Sequence, residues 1–267
     1  MPSTLQKSAM TWLLDSVGSS RAATITSIMF LLSLLSACTS LGSHNMESLG
    51  QIDFGPRQTL RICVYRDANI SRAQARQVID AVDAEFDQYA LDISVPWIRI
   101  WQRFNNSEVA VIDELTPLTL EPPCDRLLGL DSRHAGRAKW LVVLQESLGA
   151  VELITRTRGY ILYTAALRGK SGDDPKQVAI HEAYHLLGCD HDNDMTSCYR
   201  KIADLKSFAR SNMKSKDDFF PGISISGELI TSRKETDRLL RLSLESSYAN
   251  AERSKIPEVT EPIKPTN

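Results

Sequence analysis

The sequence predicts a mixed α/β domain: a five-stranded sheet, one helix carrying reactive residues, then a mainly helical C-terminal subdomain. Three observations predict it. Runs rich in Val, Ile and aromatic residues share residues 60–166 with one strongly amphipathic stretch. Asp174-Pro175 opens a helix that Gly188 can close. Ser232 with Glu235 opens a longer helix, and little between the two has strand character.

Composition bounds the function. The 267 residues are 42% apolar and 24% charged, ordinary values that exclude a wholly disordered or collagen-like chain. One large domain is the simplest division of that length. A net charge of −2 argues against nucleic acid as a partner, since phosphate binding needs a basic surface. Only the stretch near the N-terminus is apolar enough to enter a membrane, so a polytopic membrane protein is excluded.

That stretch reads as an address. Residues 22–37 are AATITSIMFLLSLLSA, without charge, and Arg21 precedes them. A positive start, a short apolar run and small residues at its end describe a secretory signal. Leu35-Ser36-Ala37-Cys38 resembles a bacterial lipobox, in which the cysteine becomes the lipid-bearing first residue of the mature protein. In Gram-negative lipoproteins, a residue other than Asp after that cysteine, here Thr39, favours the outer membrane. The expected plan is a signal peptide over 1–37, a Ser/Gly/Asn-rich tether over 38–57, a catalytic domain over 58–254 and a disordered tail over 255–267. Only about twenty residues separate Cys38 from the first strand, so no inhibitory propeptide is expected. Four cysteines remain in an oxidising compartment: Cys63, Cys124, Cys189 and Cys198. They allow three pairings. A local Cys189–Cys198 staple with a long Cys63–Cys124 bridge is favoured over the alternative of four buried thiols.

Within the domain, Leu60 to Tyr65 reads as a strand. Ser71 and Gln74 form a capping box, and a helix follows to about Tyr89 with Ala75, Val78, Ile79, Val82, Phe86 and Tyr89 on one face. Ile93 to Trp101 is a second strand. A Pro-rich segment with Pro117, Pro122 and Pro123 reads as loose. Trp140 to Leu144 suits the centre of a sheet. Val151 to Thr155 and Tyr160 to Ala166 follow, joined by a turn at Gly159. The Pro175 helix runs to Leu187. The helix after Ser232 runs to about Ser254, with Leu239, Leu240, Leu242 and Leu244 as core candidates.

The chemistry lies at His181-Glu182-Ala183-Tyr184-His185-Leu186-Leu187-Gly188-Cys189-Asp190-His191. This is H-E-x-x-H-x-x-G-x-x-H, a pattern with a chance on the order of 1 in 100,000 in a chain this long. Positions i and i+4 of a helix share a face, so His181 and His185 can aim at one ion. Zinc takes imidazole nitrogen at about 2.0–2.1 Å in tetrahedral geometry. The third ligand must come from another direction, so the helix must end. Gly188 can turn the chain sharply, and His191 then arrives from outside. Three neutral imidazoles leave one position for water, whose pKa zinc lowers towards about 7. Glu182 lies one residue from His181, beside the ion without ligating it, and suits a general base. One catalytic Zn2+ is therefore expected.

This motif resembles the metzincin zinc peptidases. The resemblance spans about Leu60 to Ser254 and implies a five-stranded sheet with one antiparallel edge, the zinc helix, and a mostly helical lower half. The adamalysin-like group shares Asp192 after the third histidine but usually has a polar residue where Leu186 stands, so the clan is assigned and not the family. The resemblance also implies a methionine turn beneath the ion. Met213 is favoured over Met195, which lies only four residues past His191. Ser215 stands where some relatives carry a tyrosine ligand, so no fifth ligand is expected there. Phe219 to Gly222 could wall the pocket or be an ordinary packed loop. His44 and His134 read as surface residues, and Tyr184 reads as core. The expected partners are an extended polypeptide lying along the edge strand near Val151 to Thr155, and a membrane through the lipid anchor. A monomer is expected. Two rivals remain: a zinc hydrolase of a non-peptide bond, and a zinc-binding envelope lipoprotein without turnover.

Overall fold

The structure, a computed structural model, describes residues 41–103, 110–132, 148–163, 174–212 and 218–253. The signal segment, Cys38, His134, the Trp140–Leu144 run, Met213 and the C-terminal tail lie outside the described residues.

The described chain is mixed α/β with a mostly parallel sheet. Its strands are β1 Gln58–Arg66, β2 Leu91–Ser94, β3 Ile98–Ile100, β4 Arg126–Asp131, β5 Gly149–Val151 and β6 Arg158–Leu162, with a small β7–β8 ribbon at Gly222–Ile223 and Leu229–Ile230. The helices are α1 Met46–Gly50, α2 Arg72–Phe86, α3 Ala110–Leu115, α4 Pro175–Leu186, α5 Thr196–Asn212 and α6 Arg233–Arg253. The sheet order is β2-β1-β4-β6-β5, with β3 also on β1. All pairings in this sheet are parallel except β5–β6. Among the described residues, no helix is long and apolar enough to cross a membrane.

Each element has a local cause. Ser71 Oγ accepts from Gln74 N and Gln74 Oε1 accepts from Ser71 N, so the capping box closes as expected. Ala75, Val78, Ile79, Val82 and Phe86 then form one buried stripe. Burying each large side chain of that stripe stabilises by about 1.5–3 kcal/mol. The stripe packs between the sheet and α4, and Tyr184 of α4 sits in the same core.

Four strand expectations need correction. Ile93 to Trp101 is two strands, because Pro96 interrupts it and cannot donate to a ladder; both halves pair with β1. Val151 to Thr155 is mainly a turn. Glu152 turns its carboxylate back to accept from the backbone N–H of Ile154, Thr155 and Thr157, and that ends β5 at Val151. Gly159 lies inside β6, not in the turn: it pairs with Leu128 and Val151, and a methyl group there would meet Val151 at 2.9 Å and Ala150 O at 3.2 Å. The segment read as loose contains β4, the central strand of the described sheet. Arg126, Gly129 and Asp131 disguise it. Yet all six of its residues are buried, and the Trp101 ring occupies the space above Gly129, where a methyl group would meet it at 2.6 Å.

Arginines join the sheet to the lower half. Fully buried Arg126 donates to Leu186 O, Phe220 O and Pro221 O. Burial lowers its pKa to about 10. Arg158 pairs with Asp237 of α6, and Arg233 with buried Asp125. Of the four α6 leucines expected in the core, Leu240 is buried and Leu242 is 49% exposed. The polar pairs fix α6 to the sheet in place of a broad apolar stripe. Phe219 and Phe220 are buried, so that segment is packed core.

Residues 41–57 do not behave as a loose tether. Leu41 is buried, α1 forms behind an Asn45 cap, and Ser43 bridges to Asp194. Polar composition suggested freedom, but these backbone groups find partners on the domain.

Candidate metal centre

Helix α4 is built to start and stop in fixed places. Asp174 accepts from Lys176 N at 2.8 Å, with Pro175 in the first turn. At the other end Gly188 N reaches His185 O at 3.0 Å and Cys189 N reaches Tyr184 O at 3.1 Å. Gly188 has φ +87°, the left-handed turn that a Schellman stop requires. The chain leaves the helix there, and His191 comes back to the face that holds His181 and His185.

The three imidazoles converge. One ring nitrogen from each lies within 4.8 Å of the other two. His181 Nε2 and His185 Nε2 are 3.1 Å apart. Two nitrogens on one tetrahedral zinc stand roughly 3.3 Å apart at ordinary bond lengths, so the pair fits a shared ion with little movement. His185 Nδ1 meets Cys189 O at 2.7 Å, and a carbonyl only accepts, so Nδ1 carries the proton and Nε2 presents a lone pair. Burial, with His185 and His191 beside it, lowers the His181 pKa to about 4. Burial also lowers that of His185. Both rings are thus neutral near pH 7, the form a metal ligand needs. These residues could hold a metal ion.

Glu182 is 5% exposed, and burial raises its pKa to about 8. Its neighbour is backbone: a methyl group on Gly149 of β5 would lie 2.7 Å from Glu182 Cγ and 2.8 Å from Oε1. Only a glycine lets the strand pass this close. The same methyl group would lie 2.8 Å from Tyr160 O of β6, a backbone atom that yields less easily than a side chain, so Gly149→Ala must push the carboxylate aside. A displacement near 1 Å at a catalytic group costs up to roughly 10²-fold in rate. If Glu182 is a catalytic group, the activity of Gly149→Ala is expected to fall on that scale with metal content unchanged; equal rates would show that the glycine is not positioning Glu182.

Several residues around the site were not legible in sequence. The loop bearing His191 is clamped from two sides. Arg156, buried in the β5–β6 turn at φ +51°, donates to Cys189 O at 3.3 Å and to Asp190 Oδ1 at 2.6 Å. Lys201 of α5 donates to Gly188 O at 3.1 Å and to Asp190 Oδ2 at 2.6 Å. These cations hold the Asp190 carboxyl below its ordinary pKa. Arg126, through Leu186 O, ties down the end of α4. All five contacts join residues at least eleven apart, so no local pattern announces them.

Both cysteine pairs lie as the favoured pairing has them. Cys63–Cys124 joins β1 to the approach to β4, and Cys189–Cys198 closes the loop around His191. A loop of that size stabilises by about 2–3 kcal/mol, mostly through the unfolded chain. The double variant Cys189→Ala/Cys198→Ala is expected to loosen the third ligand and keep the sheet. Its zinc affinity, measured against a competing chelator, should fall roughly 10–100-fold, as for an outer support of a metal ligand. An unchanged affinity would remove the staple from the site.

Of the two methionines, Met195 is buried in the main core beside Cys198, and Met213 lies outside the described residues. His44 is a partly exposed partner of Tyr199, and Tyr184 is core, bonded to Tyr89 and Glu85. A cavity of about 490 Å³ opens elsewhere, at the start of β1, among Arg57, Arg61, Arg210 and Phe219. Its lining includes neither Glu182 nor the three histidines.

No protein-family model matches the chain, and no curated protein matches it. Among solved structures, the crystal structure of archaemetzincin from Methanopyrus kandleri is similar, at 14% identity and a TM-score of 0.34, over 56% of this chain and 94% of that one. A likeness of this degree decides nothing about the chemistry, which rests on the residues themselves.

Proposed function

We propose that this chain is a zinc-dependent endopeptidase held in a bacterial cell envelope by lipid on Cys38. The observation that carries the reading is three imidazoles converging within 4.8 Å beside Glu182, a buried carboxylate of the helix that carries two of them. The donor set suits zinc: three borderline nitrogen ligands, no thiolate, and a fourth position left to solvent. When bound, zinc polarises the scissile carbonyl and acidifies water. Glu182 takes the proton from the attacking water and passes it to the leaving amine. His181, His185 and His191 fix the ion, and Arg156 and Lys201 fix the loop that brings His191 to it.

The substrate lies extended beside β5 and adds backbone hydrogen bonds to the sheet. Two features support this. Among the described residues, β5 has a strand partner on one side only, β6. Its Gly149 touches Glu182, so a peptide along this strand passes the general base.

The test is cleavage of an unfolded protein by membrane-extracted material, with metal analysis alongside. Hydrolysis that stops with chelator and returns with zinc is the expected result. Zinc bound near one per chain without cleavage of any peptide bond would point to a hydrolase of another bond or to a binding protein.

A further inference from the structure

The chain just past Cys38 is sewn to the metal loop. Leu41 O accepts from Asp192 N at 3.3 Å, and Asp192 directly follows His191. Ser43 N donates to Asn193 O at 3.3 Å, and Ser43 O accepts from Met195 N at 3.0 Å, which makes a short parallel bridge. Between them Gly42 takes φ +125°, and a methyl group there would lie 2.8–3.0 Å from backbone atoms of Asp194 and Asp192. Only glycine fits that crossing. His44 Nδ1 then meets the Tyr199 hydroxyl at 2.9 Å, next to the Cys189–Cys198 bridge. Leu41 to His44 form a strap, with one buried apolar anchor and backbone bonds on both sides of a required glycine.

Length makes the strap matter. A free tether over residues 38–57 would average roughly 25 Å and reach about 65 Å when taut. With Leu41 docked, only three residue steps separate it from Cys38, at most about 11 Å of chain.

We propose that the strap holds the metal centre against the bilayer, so that the enzyme cuts polypeptide segments lying close to the membrane surface. This rests on the function proposed above: lipid on Cys38 and hydrolysis at the histidine site. The lipid-bearing sulfur and the imidazoles then stand within roughly 25 Å of each other, the leash plus one docked loop. The class of substrate that fits is the juxtamembrane stretch of another envelope-anchored protein. A bond held far out in the compartment is out of reach.

The experiment uses full-length lipidated protein in proteoliposomes. One arm is wild type. The other carries about 30 flexible Gly/Ser residues between Thr39 and Ser40, adding on the order of 30 Å of mean span. Reporters anchored in the same bilayer present one cleavable sequence either at the surface or beyond a rigid helix of about 40 residues, roughly 60 Å high. Wild type is expected to cut the near reporter at least tenfold faster than the far one. The insertion is expected to erase most of that preference, while both proteins cut soluble unfolded substrate alike. A fluorophore built in at exposed Arg200 should transfer energy to a labelled lipid strongly in wild type and weakly after insertion. Gly42→Val, which cannot make the crossing, should lose the near-reporter preference and the energy transfer as the insertion does, each near and far rate being read relative to its own rate on soluble substrate. Equal cutting of near and far reporters by wild type, or equal energy transfer in both proteins, would overturn this inference and leave the peptidase reading standing. Failure of wild type to cut even the soluble substrate would overturn the peptidase reading, with energy transfer still reporting the strap. A Cys38→Ser protein that kept wild-type mass and membrane fractionation would overturn the lipid anchor itself.

Discussion

Glu182→Gln is expected to lower peptide hydrolysis by roughly 10²–10⁴-fold, the usual contribution of a positioned general base. It should leave zinc near one per chain, because all three imidazoles remain. The fold should survive as well. Glutamine nearly matches the shape of the carboxyl that Gly149 accommodates. In the zinc-free protein, burial holds the Glu182 pKa at about 8, above its ordinary value. The native state there binds a proton that the unfolded chain releases, so this group weakens stability progressively as pH rises from about 4.5 to 8. The zinc-free variant is therefore expected to melt no lower than wild type at pH 7. Near-wild-type hydrolysis would assign the base elsewhere. Loss of zinc on the scale of a histidine variant would make Glu182 a ligand.

His181→Ala, His185→Ala and His191→Ala are each expected to remove both zinc and activity. Loss of an outer support costs about 10–100-fold in affinity, and loss of a direct nitrogen must exceed that. His185→Ala should be the most severe, because it also leaves the Cys189 carbonyl without its imidazole donor and loosens the turn that delivers His191. His191 is exposed, so its replacement should disturb the fold least. Zinc per chain after dialysis, read with the far-ultraviolet spectrum, separates ligand loss from unfolding. A variant that kept full zinc would remove that histidine from the centre.

The site was largely legible because its geometry is local. Helical spacing puts His181 and His185 on one face, and Gly188 turns the chain within the same ten residues. The supports were not legible, because they are long-range. Arg156 reads as an ordinary turn residue until the fold sets it against Asp190, 34 positions away. Gly149 reads as a weak point in a strand until Glu182 fills the space above it. Strand β4 was missed because its ends are charged, and a charged end counts against burial unless carbonyls wait for it. Three distant backbone carbonyls await Arg126. Leu242 failed the other way: an apolar residue on a helix says only that it can be buried, not that a partner is there.

By itself, then, the sequence determined the elements that short-range rules govern: the capped helices, the His-Glu-His face, the glycine stop and the local cysteine staple. Those follow from fixed helical geometry and from which backbone angles glycine alone adopts freely. Tertiary structure alone decided which polar groups could be buried, which strand lay at the centre, and that residues 41–45 dock instead of swinging free. Each of those depends on a partner far along the chain. A buried charge or a buried backbone N–H costs up to several kcal/mol unpaired and little when paired, and only the fold brings the partner to it.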